Sequence, residues 1–429
     1  MSEDAQREFG RIWTSPYQLF PHRSLNSRST LGPRSGSLLR IEFPRALELG
    51  KSSSASLKNI GYADLHPWVE LGDESLQKQL ELLARGQLTS LTERSIAMAQ
   101  ADADARARGE NLLRDRLIPR SHFLLTALDE GAKNELNRAR AQLFSTVKIK
   151  IGRDLQAEAK WLVAHQDLLS DFTLRLDANA KTGLVQIEDF LDRLPEALIK
   201  SIQFIEDPCV FHPVSWAQVA ARVPVAFDQA FRFENGWMEQ DGEESDPGAL
   251  LIKAGVTHLI WKSATQNRDA MLNLAVRGPF QIVATSYLDH PVGQMGAAFE
   301  ASRLVTELRE RRESHSNGPG NGRSSLFLKV PPNESPNESS SESSSKPSSE
   351  SSSESSNLKN SSGVADSPEL DLEPPTISTI CGLLSQTAYQ SNEFTDEWGI
   401  GDGPEFRAAP GLGVGFDELL ENRDWEELV

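Results

Sequence analysis

The stretch TVKIKIG, residues 146–152, reads as a β-strand in which β-branched and apolar residues enclose two lysines, Lys148 and Lys150. Successive strand residues face opposite ways, so both ammonium groups point to the same side. Two like charges in a buried strand need counter-charges nearby, or one lysine must give up its proton. The lysines therefore demand partners from elsewhere in the chain.

Outward from this strand the sequence repeats a rhythm. Apolar strands are expected at 123–128, 146–151, 172–178, 202–207, 223–229, 258–264 and 280–286, with helical stretches between them. Seven such units predict a parallel sheet, and so many similar units favour a closed barrel. The eighth strand is expected at TISTICGL, 376–383, after the helix MGAAFEASRLVTELRERRE, 295–313. Between them lies a Ser/Glu-rich run at 333–363 that cannot bury a core. A helix-to-strand connection lies on the barrel face away from the active site, and closure entropy grows slowly with length, so an insertion there costs little. Before residue 119 the pattern is mixed: a strand at 37–43 and helices at 74–86 and 91–113.

The chain has 429 residues, enough for one to three domains. Its formal charge of -18 argues against a general nucleic-acid binder, although part of that charge lies in the Ser/Glu-rich run. Two cysteines, Cys209 and Cys381, make neither a disulfide framework nor a structural zinc set and suit a reducing compartment. No secretory h-region and no run of about 18 apolar residues is present, so the expectation is a cytoplasmic protein without membrane association.

Charges close the successive strands: Lys150 on the second, Asp177 on the third, Glu206 on the fourth, Asp228 on the fifth and Lys262 on the sixth. Strand C-termini are where barrel active sites are built. A single acid at a strand end is ordinarily a helix cap or turn residue. Three on consecutive strands, flanked by lysine strands, predict a hard-oxygen site for Mg²⁺, with Mn²⁺ as the alternative. A carboxylate-held Mg²⁺ facing a lysine is equipped to remove a proton beside a carboxylate. Arg175 and Asn179 share the face of Asp177, and Ser286 at the end of strand seven is a candidate contact for a substrate carboxylate. PGLGVG, 410–415, lacks the Lys-Ser/Thr of a nucleotide loop and reads as a turn. Asn333 and Asn337 match N-x-S, but the expected cytoplasmic setting argues against glycosylation.

Lys148-x-Lys150, Asp177-x-Asn179, Glu206-Asp-Pro, the acid Asp228 and the lysine Lys262 together resemble the signature of the enolase superfamily and its muconate-lactonizing-like barrel enzymes, over nearly the whole chain. Within it, residues 284–298, 381–394 and 410–428 are most similar to the o-succinylbenzoate synthase family of menaquinone biosynthesis. The chain departs from the pattern at Gln229 and Ala230 after Asp228, at Trp261 and Ser263 around Lys262, and in the Ser-rich insertion. The resemblance implies an α/β fold: a modified (β/α)7β TIM-type barrel with an N-terminal α+β capping domain. The expected organisation is a cap with a lid loop (22–36) over 1–118, barrel strands one to seven over 119–312, the insertion over 313–372, and the last strand with a tail packing toward the cap over 373–429. The implied activity is a dehydration on a small-molecule carboxylate. It uses Mg²⁺ on Asp177, Glu206 and Asp228, Lys150 as acid–base, Lys148 and Lys262 as supporting cations, and Gly293 beside the substrate. The rivals are an N-acylamino-acid racemase or dipeptide epimerase on the same scaffold, and a non-catalytic barrel whose Ser/Glu segment recruits partners. The strand-eight region lacks the D-x-D expected of dipeptide epimerases.

Overall fold

The computed structural model describes residues 10–25, 31–44, 59–228, 246–316, 376–399 and 401–429. The Ser/Glu-rich run with Asn333 and Asn337, Gln229 and Ala230, and residues 26–30 of the expected lid loop lie outside the described residues. The chain divides into residues 1–313 with 372–429, and residues 314–371. The fold below is that of the first unit.

Eight parallel strands form one sheet in the order β12-β11-β10-β9-β8-β7-β6-β5. They are β5 (Phe123–Leu125), β6 (Thr146–Lys150), β7 (Thr173–Asp177), β8 (Ile202–Glu206), β9 (Val225–Phe227), β10 (Val256–Lys262), β11 (Gln281–Thr285) and β12 (Thr376–Ile377). Each expected strand is present, and several are shorter than the apolar runs. β9 starts after Pro224, which has no N–H for the ladder. The expected eighth strand is split into β12 and β13 (Ile380–Cys381), and β13 pairs with β4 (Arg120–Ser121). The Arg120 and His122 N–H groups donate to Thr379 and Cys381 carbonyls on one side, while Gly382 N–H donates to Ala284 O on the other. The split strand thus bridges the first and seventh strands and closes the sheet into a barrel.

Arg175, 1% exposed, occupies the barrel interior. Its guanidinium donates to Gln203 Oε1 at 2.8 Å, Ile380 O at 2.9 Å and Ser378 Oγ at 3.2 Å, and lies 3.0 Å from His122 Nδ1. Phe204, Ala226, Ile260 and Val283 fill the rest of the interior. The structure therefore gives Arg175 a place in barrel closure, below the row of strand-end charges.

The cap is a four-stranded antiparallel sheet in the order β14-β1-β2-β3, with β1 (Arg11–Leu19), β2 (Arg34–Glu42), β3 (Ile60–Leu65) and β14 (Glu426–Glu427). The tail does return to the cap, as its edge strand. Helices Leu76–Ala84 and Ser90–Ala107 accompany the sheet; the second, capped by Thr89, ends before Gly109 rather than running to residue 113. Gly61 lets β3 approach this helix, since a Cβ there would run into the Ala99 carbonyl. Asp102 joins helix, sheet and tail by accepting from Tyr62 N–H at 2.8 Å, Arg106 Nε at 2.8 Å and Val414 N–H at 2.6 Å. Gly411, Gly413 and Gly415 around it have positive φ, as the turn reading requires. Cys209 and Cys381 are buried free thiols. Among the described residues no helix is long and apolar enough to cross a membrane.

Cap and barrel meet at two buried carboxylates. Asp64 of β3 accepts from Tyr17 OH at 2.6 Å and His290 N–H at 3.0 Å. A Cβ on Gly293 would stand 2.6 Å from Asp64 Oδ2 and 2.7 Å from Asp289 Oδ2, so glycine is what lets the two acids converge. Burial pushes Asp64 up to about 7, and burial with the charge of Asp64 raises Asp289 well above the usual range. A carboxyl that binds its proton more tightly when folded stabilises the fold fully below its unfolded pKa, and that contribution is lost as pH rises through the folded value. Unfolding free energy from urea titrations is expected to fall between about pH 4 and pH 7 by an amount that shrinks in Asp64→Asn; an unchanged slope in the variant would contradict this account.

Candidate active site

The side chains at the barrel mouth follow from strand register. Lys150, Asp177 and Glu206 stand level on β6, β7 and β8. Lys148 lies two residues below Lys150 on the same inward face, and both are under a tenth exposed. Asp228 follows the last residue of β9, and Lys262 ends β10. All six expected residues are brought to one end of the barrel.

Lys148 Nζ contacts Glu206 Oε1 at 2.8 Å, Glu206 Oε2 at 2.6 Å and Asp177 Oδ2 at 2.8 Å. Lys150 Nζ donates to Asp177 Oδ2 at 2.5 Å. Lys262 pairs with Asp228 of the neighbouring strand end. Three ammonium groups thus face three carboxylates. The like charges anticipated at 148 and 150 are tolerated because Asp177 bonds both. Burial lowers the proton affinity of Lys150, and Lys148 lowers it further, against the pull of Asp177. For Lys148 burial acts downward, but Asp177 and Glu206 outweigh it and raise its pKa. Lys262 behaves likewise through Asp228 and Glu206. Burial and the neighbouring Asp177 push Glu206 well up, whereas the two lysines overcome burial at Asp177 and push it down.

Supporting residues orient this row. Asn179, with φ 53°, donates from its backbone N–H and Nδ2 to Asp177 Oδ1 at 3.1 and 2.6 Å. Asp207 Oδ1 accepts the Asp228 N–H at 3.2 Å, which explains an acid at the second position of E-D-P. Among the described residues, no group of three or more His, Cys, Asp and Glu side chains is arranged to hold a metal as it stands, because each carboxylate faces an ammonium group. The donor chemistry nonetheless fits a hard cation: three carboxylates end adjacent strands, and Asp228 Oδ1 is buried without a hydrogen-bond partner among the described residues.

The lysines open on a cavity of about 60 Å³ whose roof is Trp68 and Leu71 from the cap. Trp68 Nε1 donates to Tyr287 O at 2.8 Å, and Tyr287 OH to Asp73 Oδ2 at 3.0 Å, so the roof is tied to the loop after β11. Arg34, from the end of the expected lid loop, stacks 4.4 Å from the Trp68 ring. Ser286 lines the cavity, with its Oγ 2.9 Å from Ser385 Oγ. Gly293 does not line it; it sits in the adjoining cavity against Asp64 and Asp289. The reason is the turn Tyr287–His290, which carries the following helix away toward the cap. His122, Thr285, Ser385 and Trp68 line the lysine cavity and were not anticipated. Thr285 directly precedes Ser286 at a strand end and was within reach of the strand-end rule; the others carry no such signal.

The family described as "O-succinylbenzoate synthase, N-terminal domain" matches residues 12–105, which is most of the cap. A relative named o-succinylbenzoate synthase, from Bdellovibrio bacteriovorus, is 30% identical over 294 residues, covering 68% of this chain and 81% of that one. The chain belongs to the o-succinylbenzoate synthase family. Solved structures share the fold at low identity. Muconate lactonizing enzyme from Pseudomonas fluorescens superposes with a TM-score of 0.51 at 14% identity, over 67% of this chain and 82% of the other. The L-Ala-D/L-Glu epimerase from Bacillus subtilis does so with a TM-score of 0.51 at 16% identity, over 68% and 86%. The α/β barrel with an N-terminal cap is therefore the fold of the enolase superfamily, as the o-succinylbenzoate synthase resemblance implied.

Removing one carboxylate from a balanced buried set leaves an uncompensated ammonium. Asp177→Asn is expected to lower unfolding free energy by roughly 3–5 kcal/mol. Combining it with Lys150→Met, which restores the balance, is expected to return part of that loss. Urea unfolding of the four-member cycle checks this, and strict additivity would show that the charges are not coupled.

Proposed function

We propose that this chain catalyses the syn-dehydration of 2-succinyl-6-hydroxy-2,4-cyclohexadiene-1-carboxylate to o-succinylbenzoate, as a carbon–oxygen lyase of cytoplasmic menaquinone biosynthesis. The observation that carries the reading is the pair of buried lysines on one face of β6, opposed by Lys262 across three strand-end carboxylates. Asp177, Glu206 and Asp228 are the proposed ligands of Mg²⁺, with Mn²⁺ acceptable to the same hard oxygens. When bound, the ion supplies positive charge to the substrate's ring carboxylate as a second negative charge develops there.

Lys150 is the base. Its lowered proton affinity favours release of the ammonium proton, and the amine form so produced takes the proton on the carbon bearing the carboxylate. The resulting ammonium returns that proton to the departing hydroxyl on the same face of the ring. The C–O bond breaks, water leaves and the ring becomes aromatic. Lys148, kept charged by Asp177 and Glu206, supports the carboxylate and disfavours a second charge at Lys150. Lys262 is a fixed cation on the opposite wall, and Ser286 is the proposed contact for the distal carboxylate. Gly293 acts by spacing the loop after β11. The Ser/Glu-rich insertion over 313–372 carries none of these residues, and replacing it with a short linker is expected to leave turnover within about tenfold.

Lys262 opposite Lys150 also fits a second reading, a racemase that removes a proton on one face and returns it on the other. Lys150→Ala is expected to reduce dehydration by at least about a thousandfold. Lys262→Arg keeps the cation but is a poor base, and is expected to retain measurable dehydration. Calorimetric titration with Mg²⁺ is expected to show weakened binding in Asp177→Asn, Glu206→Gln and Asp228→Asn. Wild type incubated in D₂O with N-succinyl amino acids distinguishes the readings. Fast exchange with inversion of both enantiomers, and no o-succinylbenzoate from the cyclohexadiene, would establish the racemase instead.

A further inference from the structure

The floor of the lysine cavity holds a histidine whose protonation pattern is fixed by its neighbour. His122 Nδ1 lies 3.0 Å from Arg175 Nη1. A guanidinium has only donors, so Nδ1 accepts and the ring proton sits on Nε2. Arg175 cannot swing away, because its other nitrogens are committed to Gln203, Ser378 and the Ile380 carbonyl. A second proton on Nδ1 would face that guanidinium. Burial, then the charges of Arg175, Lys148 and Lys150, hold the imidazole well below its usual pKa.

Among the described residues His122 Nε2 is given no hydrogen-bond partner; although His122 is only 5% exposed, this atom opens on the cavity of Lys148, Lys150 and Lys262. The space beside it is kept open by Gly382. A Cβ there would stand 2.9 Å from His122 Nε2, 2.7 Å from its Cε1 and 2.9 Å from Thr285 Cγ2. Thr285, lining the same cavity, has its Oγ1 buried without a partner among the described residues. Two uncharged donors are therefore left unspent beside a glycine, in a cavity already lined by three lysines.

We propose that His122 is a substrate-binding residue that donates its Nε2–H to an uncharged carbonyl oxygen of the substrate, with Thr285 as a second donor and Arg175 as the positioning residue. This rests on the dehydratase reading above, in whose substrate the ketone of the succinyl chain is such an oxygen. A neutral donor serves a ketone without adding charge, and at Thr285 Oγ1, buried without a partner among the described residues, the bound oxygen removes the desolvation cost of an unmade hydrogen bond.

Selective ¹⁵N-histidine NMR of the full-length Mg²⁺ form tests the proposal directly. His122 is expected to show the Nε2–H tautomer without titration between about pH 6 and pH 8, and its Nε2–H signal is expected to move when o-succinylbenzoate is added. An Nδ1–H tautomer, an imidazolium, or a signal indifferent to o-succinylbenzoate overturns it. In kinetics, His122→Phe is expected to lower kcat/KM by about tenfold, chiefly through KM, while His122→Gln, which keeps an N–H, recovers most of the loss. Wild-type turnover retained unchanged in both variants would sink the role of His122 and leave the dehydratase reading standing. A wild type that forms no o-succinylbenzoate, yet whose His122 signal moves with that compound, would do the reverse.

Discussion

Three ammonium groups and three carboxylates, buried together at the barrel mouth, constrain everything around them. Removing such charges from water costs several kcal/mol per ion, and their mutual attraction offsets this only with close, hydrogen-bonded geometry. The geometry here is close: Lys148 bridges Asp177 and Glu206, and Lys150 shares Asp177. A well-packed apolar set of the same volume would serve folding at least as well. The charges are better understood as machinery whose stability cost the scaffold absorbs. The same crowding separates the two β6 lysines chemically. Lys148 has two carboxylates and is held charged, whereas Lys150, with one carboxylate and a cation beside it, has its proton affinity lowered.

The scaffold meets this constraint from below and above. Below, Arg175 crosses the barrel interior to bond the split eighth strand, so one side chain both closes the sheet and fixes the imidazole of His122. Above, Trp68 roofs the cavity and is tied to the loop after β11 through the Tyr287 carbonyl. That loop also carries Asp289 and His290 to the cap, where Asp64 receives the His290 N–H. Cap and barrel are thus joined through the segment that lines the site, which makes the cap part of the active-site architecture.

The sequence alone determined whatever depends on period and order. Strand alternation put Lys148 and Lys150 on one face, and the β-α rhythm put Asp177, Glu206, Asp228 and Lys262 at successive strand ends, because a parallel barrel gathers those ends at one rim. Residue order thereby brings Asp177 and Glu206 to face the lysine pair. Strands β1 and β3 of the cap escaped the pattern, since Pro16 interrupts one and Gly61 and Asp64 the other. Tyr17 bonds Asp64, Gly61 lies against Ala99 and Asp64 meets the loop after β11, contacts that no local period encodes.

Tertiary structure decided the rest. Arg175 and Asn179 looked equivalent as neighbours of Asp177, yet one supports the carboxylate and the other turns inward to close the barrel. Gly293, expected beside the substrate, lies between the carboxylates of Asp64 and Asp289 and does not line the lysine cavity, because the turn after β11 redirects the chain by a few residues. His122 was one of eight histidines without a motif. Its tautomer depends on a guanidinium 53 residues away and its open space on a glycine of the last strand. Period and order fix which face a side chain takes; which distant group meets it there is set only when the sheet closes on itself.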